Sequence, residues 1–324
     1  MLNISIIIVT FNSEKDIIRC LDSIYRNETD LSFEVVVVDS KSTDETIENV
    51  KKYDNARLIA LNENVGFARA NNIALEQISG EYIFYLNPDT IIQKDTLKKL
   101  YYSLKVRENE GIGMIGPKIL LSNGKVQYEG GRDYPSLVYS FFELFLLRRI
   151  FPNLCGGMRL EYWDHTTSRE VPCLLGAAMF LLRETAMKLK GFDSPIPMYY
   201  EDIDFCFRLK KMGYKIYYDA NIEITHFCGQ SASTTISKIR LGLYVMELCY
   251  APYLFFKKHF GSIYALTFRV LVFFGAIFRM TVILLGGSLC KLLRKNNSDF
   301  SFLTLLKYLE FLKWSVTLKV IKLK

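Results

Sequence analysis

No Cys-x-x-Cys pair occurs among the seven cysteines of this 324-residue chain, and their number is odd. That pattern suggests neither a zinc site nor a disulfide framework, and a reducing, cytosolic compartment fits it best. Histidine is scarce too, with three in the chain. A long spanning segment is also missing. Between Ser262 and Cys290 the apolar sequence is interrupted by Arg269 and Arg279, and the longest uncharged piece between these and Lys291 is Met280 to Cys290. A simple spanning helix calls for about 18 uncharged apolar residues and is therefore disfavoured. The start, Met1-Leu-Asn-Ile-Ser5, has no basic region and no small-residue cleavage site, so the apolar run that follows reads as a strand and not a signal peptide. Neither an internal repeat nor a low-complexity linker is visible.

Apolar residues make up 50% of the chain, enough for one large α/β domain plus an appendage. The 23 Phe and 20 Tyr point to wide surface contacts or a membrane surface as well as a core. The net charge of +7 hides an asymmetry: from Lys257 to Lys324 twelve Lys and Arg face only Asp299 and Glu310, leaving 29 basic and 32 acidic residues before them. The basicity belongs to the tail.

The first hundred residues alternate strand and helix signals. Ile4 to Thr10 is a continuous apolar run, as in a strand buried on both faces. Asn12 and Ser13 then precede helical spacing at Ile17, Leu21 and Ile24. Phe33 to Val38 is a second buried strand ending at Asp39, and Ser42-Thr-Asp-Glu45 reads as a capping box opening the next helix. Arg57 to Leu61 is a short strand, Gly66 to Ile78 a helix, and Tyr82 to Leu86 a fourth strand. Strands separated by helices require crossovers, so an α/β fold with a doubly wound, mostly parallel sheet is expected. Past residue 110 the pattern loosens. Asn123-Gly124 is a hairpin turn, and the aromatic stretch Tyr134 to Phe151 is by default a core helix. Order returns from Val171 to His226. The organisation expected is a catalytic domain over 1–235, divided into a nucleotide-binding half (1–110) and an acceptor half (111–235), followed by a helical basic extension over 236–324.

Four places could carry chemistry. Asn87-Pro88-Asp89 ends the fourth strand, where an open α/β sheet binds its ligand. A carboxylate there suits Mg²⁺ or Mn²⁺ shared with a diphosphate, although Asn-Pro-Asp is also ordinary turn chemistry. Asp39, at the tip of the second strand beside Thr10 and Asn12, could accept the N3–H of a uracil or thymine or could cap a helix. Asn62-Glu-Asn-Val-Gly66-Phe-Ala-Arg69-Ala-Asn-Asn72 sets a glycine turn before a helix start bearing a guanidinium, a natural diphosphate site. Last, Met198-Tyr-Tyr-Glu201-Asp202-Ile-Asp204-Phe-Cys-Phe-Arg208 gathers three carboxylates that a purely structural helix tends to avoid. Helical spacing puts Glu201, Asp204 and Arg208 on one face and leaves Asp202 about 100° away, free to act as a general base. His226, ahead of Cys228-Gly-Gln-Ser231, would suit a metal lacking one carboxylate.

Taken together, Ser5-Ile-Ile-Ile-Val-Thr-Phe-Asn12, Val38-Asp39-Ser-Lys-Ser-Thr-Asp44, Asn64-Val-Gly66-Phe-Ala-Arg-Ala-Asn-Asn72, Leu86-Asn-Pro-Asp89 and Tyr199-Tyr-Glu-Asp202-Ile-Asp resemble the family 2 inverting glycosyltransferases of GT-A fold. The nearest branch is the bacterial rhamnosyltransferase-like enzymes of O-antigen and other surface polysaccharides. The resemblance covers residues 3 to about 235. It implies a nucleotide-base role for Asp39 and donor contacts along Thr10, Asn12, Gly66, Arg69, Asn72, Asn87 and Asp89. It places the catalytic base at Asp202 beside Glu201, and the metal, Mg²⁺ or Mn²⁺, on Asp89 and His226. Leu174-Leu-Gly176-Ala-Ala-Met179 matches the family's acceptor-side strand, so Gly176 and Ala177, with Asp204 and Arg208, belong to the acceptor side. Asn87 departs from the pattern, since many relatives carry Asp there.

The implied reaction is transfer from a dTDP- or UDP-sugar to a hydroxyl of a polyprenyl-linked or saccharide acceptor. Apolar helices studded with Lys and Arg suit a membrane interface, so a peripheral position on the cytoplasmic face of the plasma membrane is expected. The acidic catalytic half argues against nucleic acid. A sugar-nucleotide nucleotidylyltransferase would want a Gly-rich loop after strand one, where Thr10-Phe-Asn-Ser-Glu14 has no glycine. A non-catalytic nucleotide-binding membrane scaffold is the remaining alternative.

Overall fold

Runs of Ile and Val with no polar alternation can be buried only inside a sheet covered on both faces, and they form its centre. The computed structural model describes residues 3–27, 31–151, 158–160, 162–196, 199–227, 237–292 and 302–319. Met198 and the segment Cys228 to Ser231 lie outside them. In chain order the first half is β1 (Asn3–Thr10), α1 (Glu14–Asn27), β2 (Ser32–Asp39), α2 (Thr46–Val50), β3 (Ala56–Ala60), α3 (Phe67–Leu75), β4 (Tyr82–Leu86), β5 (Thr90–Ile92), α4 (Thr96–Lys105), β6 (Ile112–Leu121), β7 (Gly131–Arg132) and α5 (Leu137–Leu144). Then come β8 (Arg169–Glu170), β9 (Cys173–Leu174), β10 (Ala178–Leu182), α6 (Arg183–Lys188), α7 (Glu201–Lys211), β11 (Lys215–His226), α8 (Ser237–Val245), α9 (Ala251–Phe260), α10 (Ser262–Leu292) and α11 (Phe302–Thr317).

The main sheet runs β3-β2-β1-β4-β10-β6-β11-β5, with β8 also on β11, and β7 and β9 form a separate pair. β3, β2, β1 and β4 are all parallel. β10 enters antiparallel between β4 and β6, β11 runs parallel to β6, and β5 lies antiparallel at the edge. Ile4, Ile6, Ile8, Val35, Val37, Phe84 and Phe180 form its buried centre against Ile17, Leu21 and Ile24 of α1. Burial of each such side chain contributes roughly 1.5–3 kcal/mol.

The residues form two compact units. One comprises Met1–Tyr134, Met158–Pro195 and Glu201–Ser233; the other comprises Pro135–Gly157, Ile196–Tyr200 and Thr234–Lys324. The second unit therefore takes in α5 as well as the tail helices. Two local expectations are corrected. Tyr134 to Phe151 does not form a core helix: α5 spans only Leu137–Leu144 and none of its residues is buried. Ser42-Thr-Asp-Glu45 does not form a capping box, because the Ser42 hydroxyl turns to Asp39 and Asp44 accepts from Thr46 instead.

In the second unit α10 is an unbroken helix. Ala265, Phe268, Val272 and Ala276 are buried, while Ile263, Leu266, Val270, Phe274 and Ile277 are exposed. This three-and-four spacing divides the helix into two faces. Arg269 and Arg279 do not break the outer face. Arg269 donates to the carbonyl oxygens of Ser315 and Val316 at the end of α11, and Arg279 to those of Glu143 and Leu144 at the end of α5. Each guanidinium thus satisfies the last carbonyls of a helix, where a cation also meets the negative end of the dipole. Gly275 lets α10 approach α5, since a Cβ there would lie 2.7 Å from Leu144 Cβ. The stretch Ser262–Leu285 is long and apolar enough to cross a membrane, with a mean hydropathy of 2.1.

Candidate active site

Parallel register sets the site. Thr10 pairs with Asp39 across β1 and β2, and Ile8 with Leu86 across β1 and β4, so three carboxyl ends open on one edge of the sheet. Asp39 is fully buried. Its Oδ1 accepts from Thr10 Oγ1 at 2.9 Å and from Ser42 Oγ at 2.5 Å, and its Oδ2 accepts from the Ser42 N–H at 2.8 Å. Asn12, with a left-handed φ of 51°, accepts at Oδ1 from the Thr43 N–H and donates its own N–H to Ser42 Oγ. The loops after β1 and β2 are clasped together, and Asp39 Oδ2 keeps one acceptor position.

At the end of β4, the Asn87 N–H donates to the Ala177 carbonyl at 2.9 Å, which joins the Asn-Pro-Asp turn to the loop before β10. The Asn87 carbonyl accepts from Thr90 Oγ1 at 2.6 Å. Cys20 lies beneath the turn, and burial pushes its thiol up to about 12, so it packs as a neutral group. Thr90 on β5 pairs with His226 on β11. That register brings His226 Nε2 to 3.1 Å from Asp89 Oδ1, while Nδ1 lies 2.9 Å from Gln127 Oε1. With Nδ1–H donating to Gln127, the Nε2 lone pair faces a carboxylate oxygen. Such a contact calls for a cation or a proton between the two. One carboxylate oxygen and one imidazole nitrogen fit a divalent cation such as Mg²⁺ or Mn²⁺. Among the described residues no group of three or more His, Cys, Asp or Glu could hold a metal ion, so most of its coordination would come from substrate and water.

The acidic helix α7 brings in Asp202, which is buried. It is not the free carboxylate that its position on a helical wheel suggests. Oδ2 accepts from Arg132 Nη2 at 2.6 Å and from the Gly176 N–H at 2.8 Å, and Oδ1 accepts from the Ile203 N–H at 2.7 Å. A carboxylate offers about four acceptor positions, so one remains, on Oδ1. Burial works most strongly against the Arg132 cation, but the Asp202 charge and the neighbouring Cys173 and Cys206 together outweigh it and hold the guanidinium protonated. Glu201 is buried beside it at the start of α7. Gly176 is needed here, because a Cβ would lie 3.3 Å from Asp202 Cβ.

Three expected site residues have other work. The Asn72 amide is bonded at both ends to the Phe192 backbone, donating to its carbonyl and accepting from its N–H at 2.8 Å each. Arg208 pairs with buried Asp204 at 2.7 Å and donates to the carbonyls of Leu189 and Gly191. Asp204 and Arg208 thus tie α7 to the backbone at Leu189 and Gly191. Gly66, at φ 78°, starts α3 with open space around it, and Arg69 in its first turn is exposed. Sequence reasoning missed Arg132 and Gln127, since a two-residue strand and a loop have no periodicity to point to them.

Residues 5–161 match the family described as Glycosyl transferase family 2. The chain is 38% identical over 103 residues to the poly(ribitol-phosphate) beta-N-acetylglucosaminyltransferase TarS of Staphylococcus aureus, covering 30% of this chain and 18% of that one. It is 27% identical over 237 residues to the N-acetylglucosaminyl-diphospho-decaprenol L-rhamnosyltransferase of Mycobacterium tuberculosis, covering 68% and 75%. It is 28% identical over 253 residues to the O-antigen biosynthesis protein RfbC of Myxococcus xanthus, covering 76% and 19%. The chain thus spans under a fifth of the length of TarS and of RfbC. Among solved structures, that of GalNAc-T7 with UDP, GalNAc and Mn²⁺ superposes with a TM-score of 0.54 at 15% identity, covering 83% of this chain and 54% of that one, a likeness of fold. A mixed, mostly parallel sheet of GT-A kind, the motifs at its strand ends and the match over residues 5–161 agree: the chain carries a glycosyltransferase family 2 domain over those residues.

Proposed function

We propose that the protein is an inverting glycosyltransferase that moves a sugar, rhamnose or similar, from a dTDP- or UDP-sugar to a hydroxyl of a lipid-linked or polysaccharide acceptor in cell-surface polysaccharide synthesis. The contact of His226 Nε2 with Asp89 Oδ1 at 3.1 Å carries this reading, because it completes the strand-end site that the Asn87 departure left one carboxylate short. A divalent cation held by Asp89 and His226 would stabilise the charge that develops on the leaving nucleoside diphosphate. Asp39, with its open acceptor position, would take the imide N–H of uracil or thymine. Gly66 and Arg69 would receive the diphosphate at the start of α3.

In the transfer, the acceptor oxygen bonds to the anomeric carbon as the bond from that carbon to the diphosphate oxygen breaks on the opposite face. Oδ1 of Asp202 takes the proton of the attacking hydroxyl, a general-base contribution of roughly a hundredfold to ten-thousandfold. Arg132 and the Gly176 N–H fix the carboxylate so that only this position points outward. For the second unit we propose peripheral contact with a membrane: the exposed face of α10 enters the interface and tail cations meet anionic headgroups, each contributing roughly 1 kcal/mol. A thermal-shift panel of UDP-, dTDP- and GDP-sugars with and without Mn²⁺ tests the donor reading. Stabilisation by a uracil or thymine donor that Mn²⁺ increases is expected, and no response to any donor would remove it.

A further inference from the structure

Arg132 sits on a strand of two residues, and what holds that strand from behind is a histidine with no part in the chemistry above. His165 is fully buried and has a left-handed φ of 60°. Its Nδ1 lies 2.9 Å from the Trp163 carbonyl oxygen, and its Nε2 lies 2.8 Å from the Gly131 carbonyl oxygen. Carbonyl oxygens only accept, and a neutral imidazole has a single N–H. In either neutral tautomer one ring nitrogen would press its lone pair against a carbonyl lone pair in a buried place, at the cost of an unmet polar group. Only the doubly protonated ring donates to both.

The surroundings suit a cation. The ring stacks on Trp163 with centroids 3.9 Å apart, and Tyr128 and Tyr218 meet it edge-on at 5.0 and 5.6 Å, an aromatic enclosure that attracts positive charge where ring faces are presented. The charged and titratable groups around it are Asp164 next in the chain, Arg169 of β8 over the Trp163 ring at 5.3 Å, Tyr128, Tyr218 of β11, and Arg132 of β7. Asp164, exposed and accepting from the Thr166 N–H and hydroxyl, is the negative group next to the ring in the chain. Space is fixed as well as charge, since a Cβ on Gly131 would lie 3.1 to 3.3 Å from Tyr218, Trp163 and Val171. Gly131 is followed by Arg132, which donates to Asp202 at 2.6 Å.

We propose that His165 is a positioning residue whose imidazolium clamps the Trp163 and Gly131 carbonyls together and so holds Arg132 on Asp202. The geometry of the base then depends on the charge of a ring that does not touch it. A ring with a single N–H would leave one of the two carbonyls unmet and hold Arg132 less firmly. The kinetic consequence rests on the reading of Asp202 as base, whereas the clamp itself does not.

The test is nitrogen NMR on the full chain with labelled histidine and arginine. His165 is expected to show two protonated ring nitrogens, and the Arg132 guanidinium to show the slowed exchange of a paired group, with both signatures lost at one common pH midpoint. In His165→Phe, which keeps the stack and removes both donors, the Arg132 signal should become that of an unpaired side chain. The transfer kcat should fall by up to roughly a hundredfold, the cost of a misplaced group, with donor KM unchanged. A neutral His165 tautomer alongside a paired Arg132 in the wild type overturns the proposal, and so does a folded His165→Phe with an unaltered Arg132 signal. If His165→Phe does not fold, the wild-type midpoints decide alone. A wild type without turnover would defeat the transferase reading and leave the NMR result standing.

Discussion

Asp202 and Arg132 form a buried pair whose members depend on each other. Removing one partner of such a pair costs about 3–5 kcal/mol, because the other is left buried and unmatched. Arg132→Met is therefore expected to lower stability by that amount in urea unfolding, and a loss under about 1 kcal/mol would show that the pair is solvated. Asp202→Asn keeps the shape and removes the proton acceptor, so transfer should be abolished while donor binding survives. Full turnover in that variant would end the assignment of Asp202 as base. Gln127 orients the His226 ring, and loss of such an outer partner typically costs tenfold to a hundredfold in metal affinity. Mn²⁺ activation curves of Gln127→Leu should shift by that factor and those of His226→Ala at least as far; superposable curves would remove His226 from the site. The nearness of Asp89 and His226 was suggested by the sequence, which ends a strand at Asn87-Pro-Asp89 and offers His226 to a metal short of one carboxylate. Asn72 and Arg208 misled because a polar side chain near a helix start can serve a neighbouring backbone as well as a ligand, and sequence does not show the backbone that arrives from Phe192 or Leu189.

Elements built from long apolar runs were the most legible. β1, β2 and β4 are apolar along most of their length, and the polar residues within them, Ser5 and Glu34, bond to each other across β1 and β2, so the runs still read as strands. In sequence β11 shows as two strand-like pieces, Ile216 to Tyr218 and Ile222 to Thr225, because its register slips between Asp219 and Glu223. At the slip Asp219 accepts from Ser103 Oγ at 2.5 Å, Ser168 Oγ at 3.0 Å and the Asn221 N–H at 3.1 Å. Burial pushes this carboxyl up, but the Ser103, Asn221 and Ser168 bonds together hold it below the ordinary range. A depressed folded-state value means that the stabilisation is present above the unfolded value of about 3.9 and is lost as pH falls through the lower folded value. Asp219→Asn should thus cost about 1–3 kcal/mol at neutral pH and progressively less below about pH 4. Urea unfolding at both pH values checks this, and an equal loss at both would mean that the charge is immaterial.

On the scale of the whole molecule, the chain's charge separates into an acidic catalytic region and a basic tail. Arg269 and Arg279 looked like interruptions of an apolar helix because sequence shows charge and not where it points. Each ends on the carbonyls of another helix, leaving the outer face of α10 apolar. Phe274→Asp, on that face, forfeits roughly 1.5–3 kcal/mol of apolar burial and should lower binding to vesicles containing phosphatidylglycerol by about tenfold or more. Sedimentation with such vesicles measures it, and unchanged binding would assign the face to another partner.

The edge strand β5 also bears on how the protein is made. Asp89 precedes β5, and among the described residues β5 pairs in the sheet with β11 alone, a strand made more than a hundred residues later. Domains generally fold as units, and β10, which comes later in the chain, pairs with β4 in the middle of the sheet, so the sheet cannot close before the later strands are made. The contact between Asp89 and His226 therefore waits on β11, with residues 227–324 still to be made. A truncated product ending before β11 would lack the contact between Asp89 and His226.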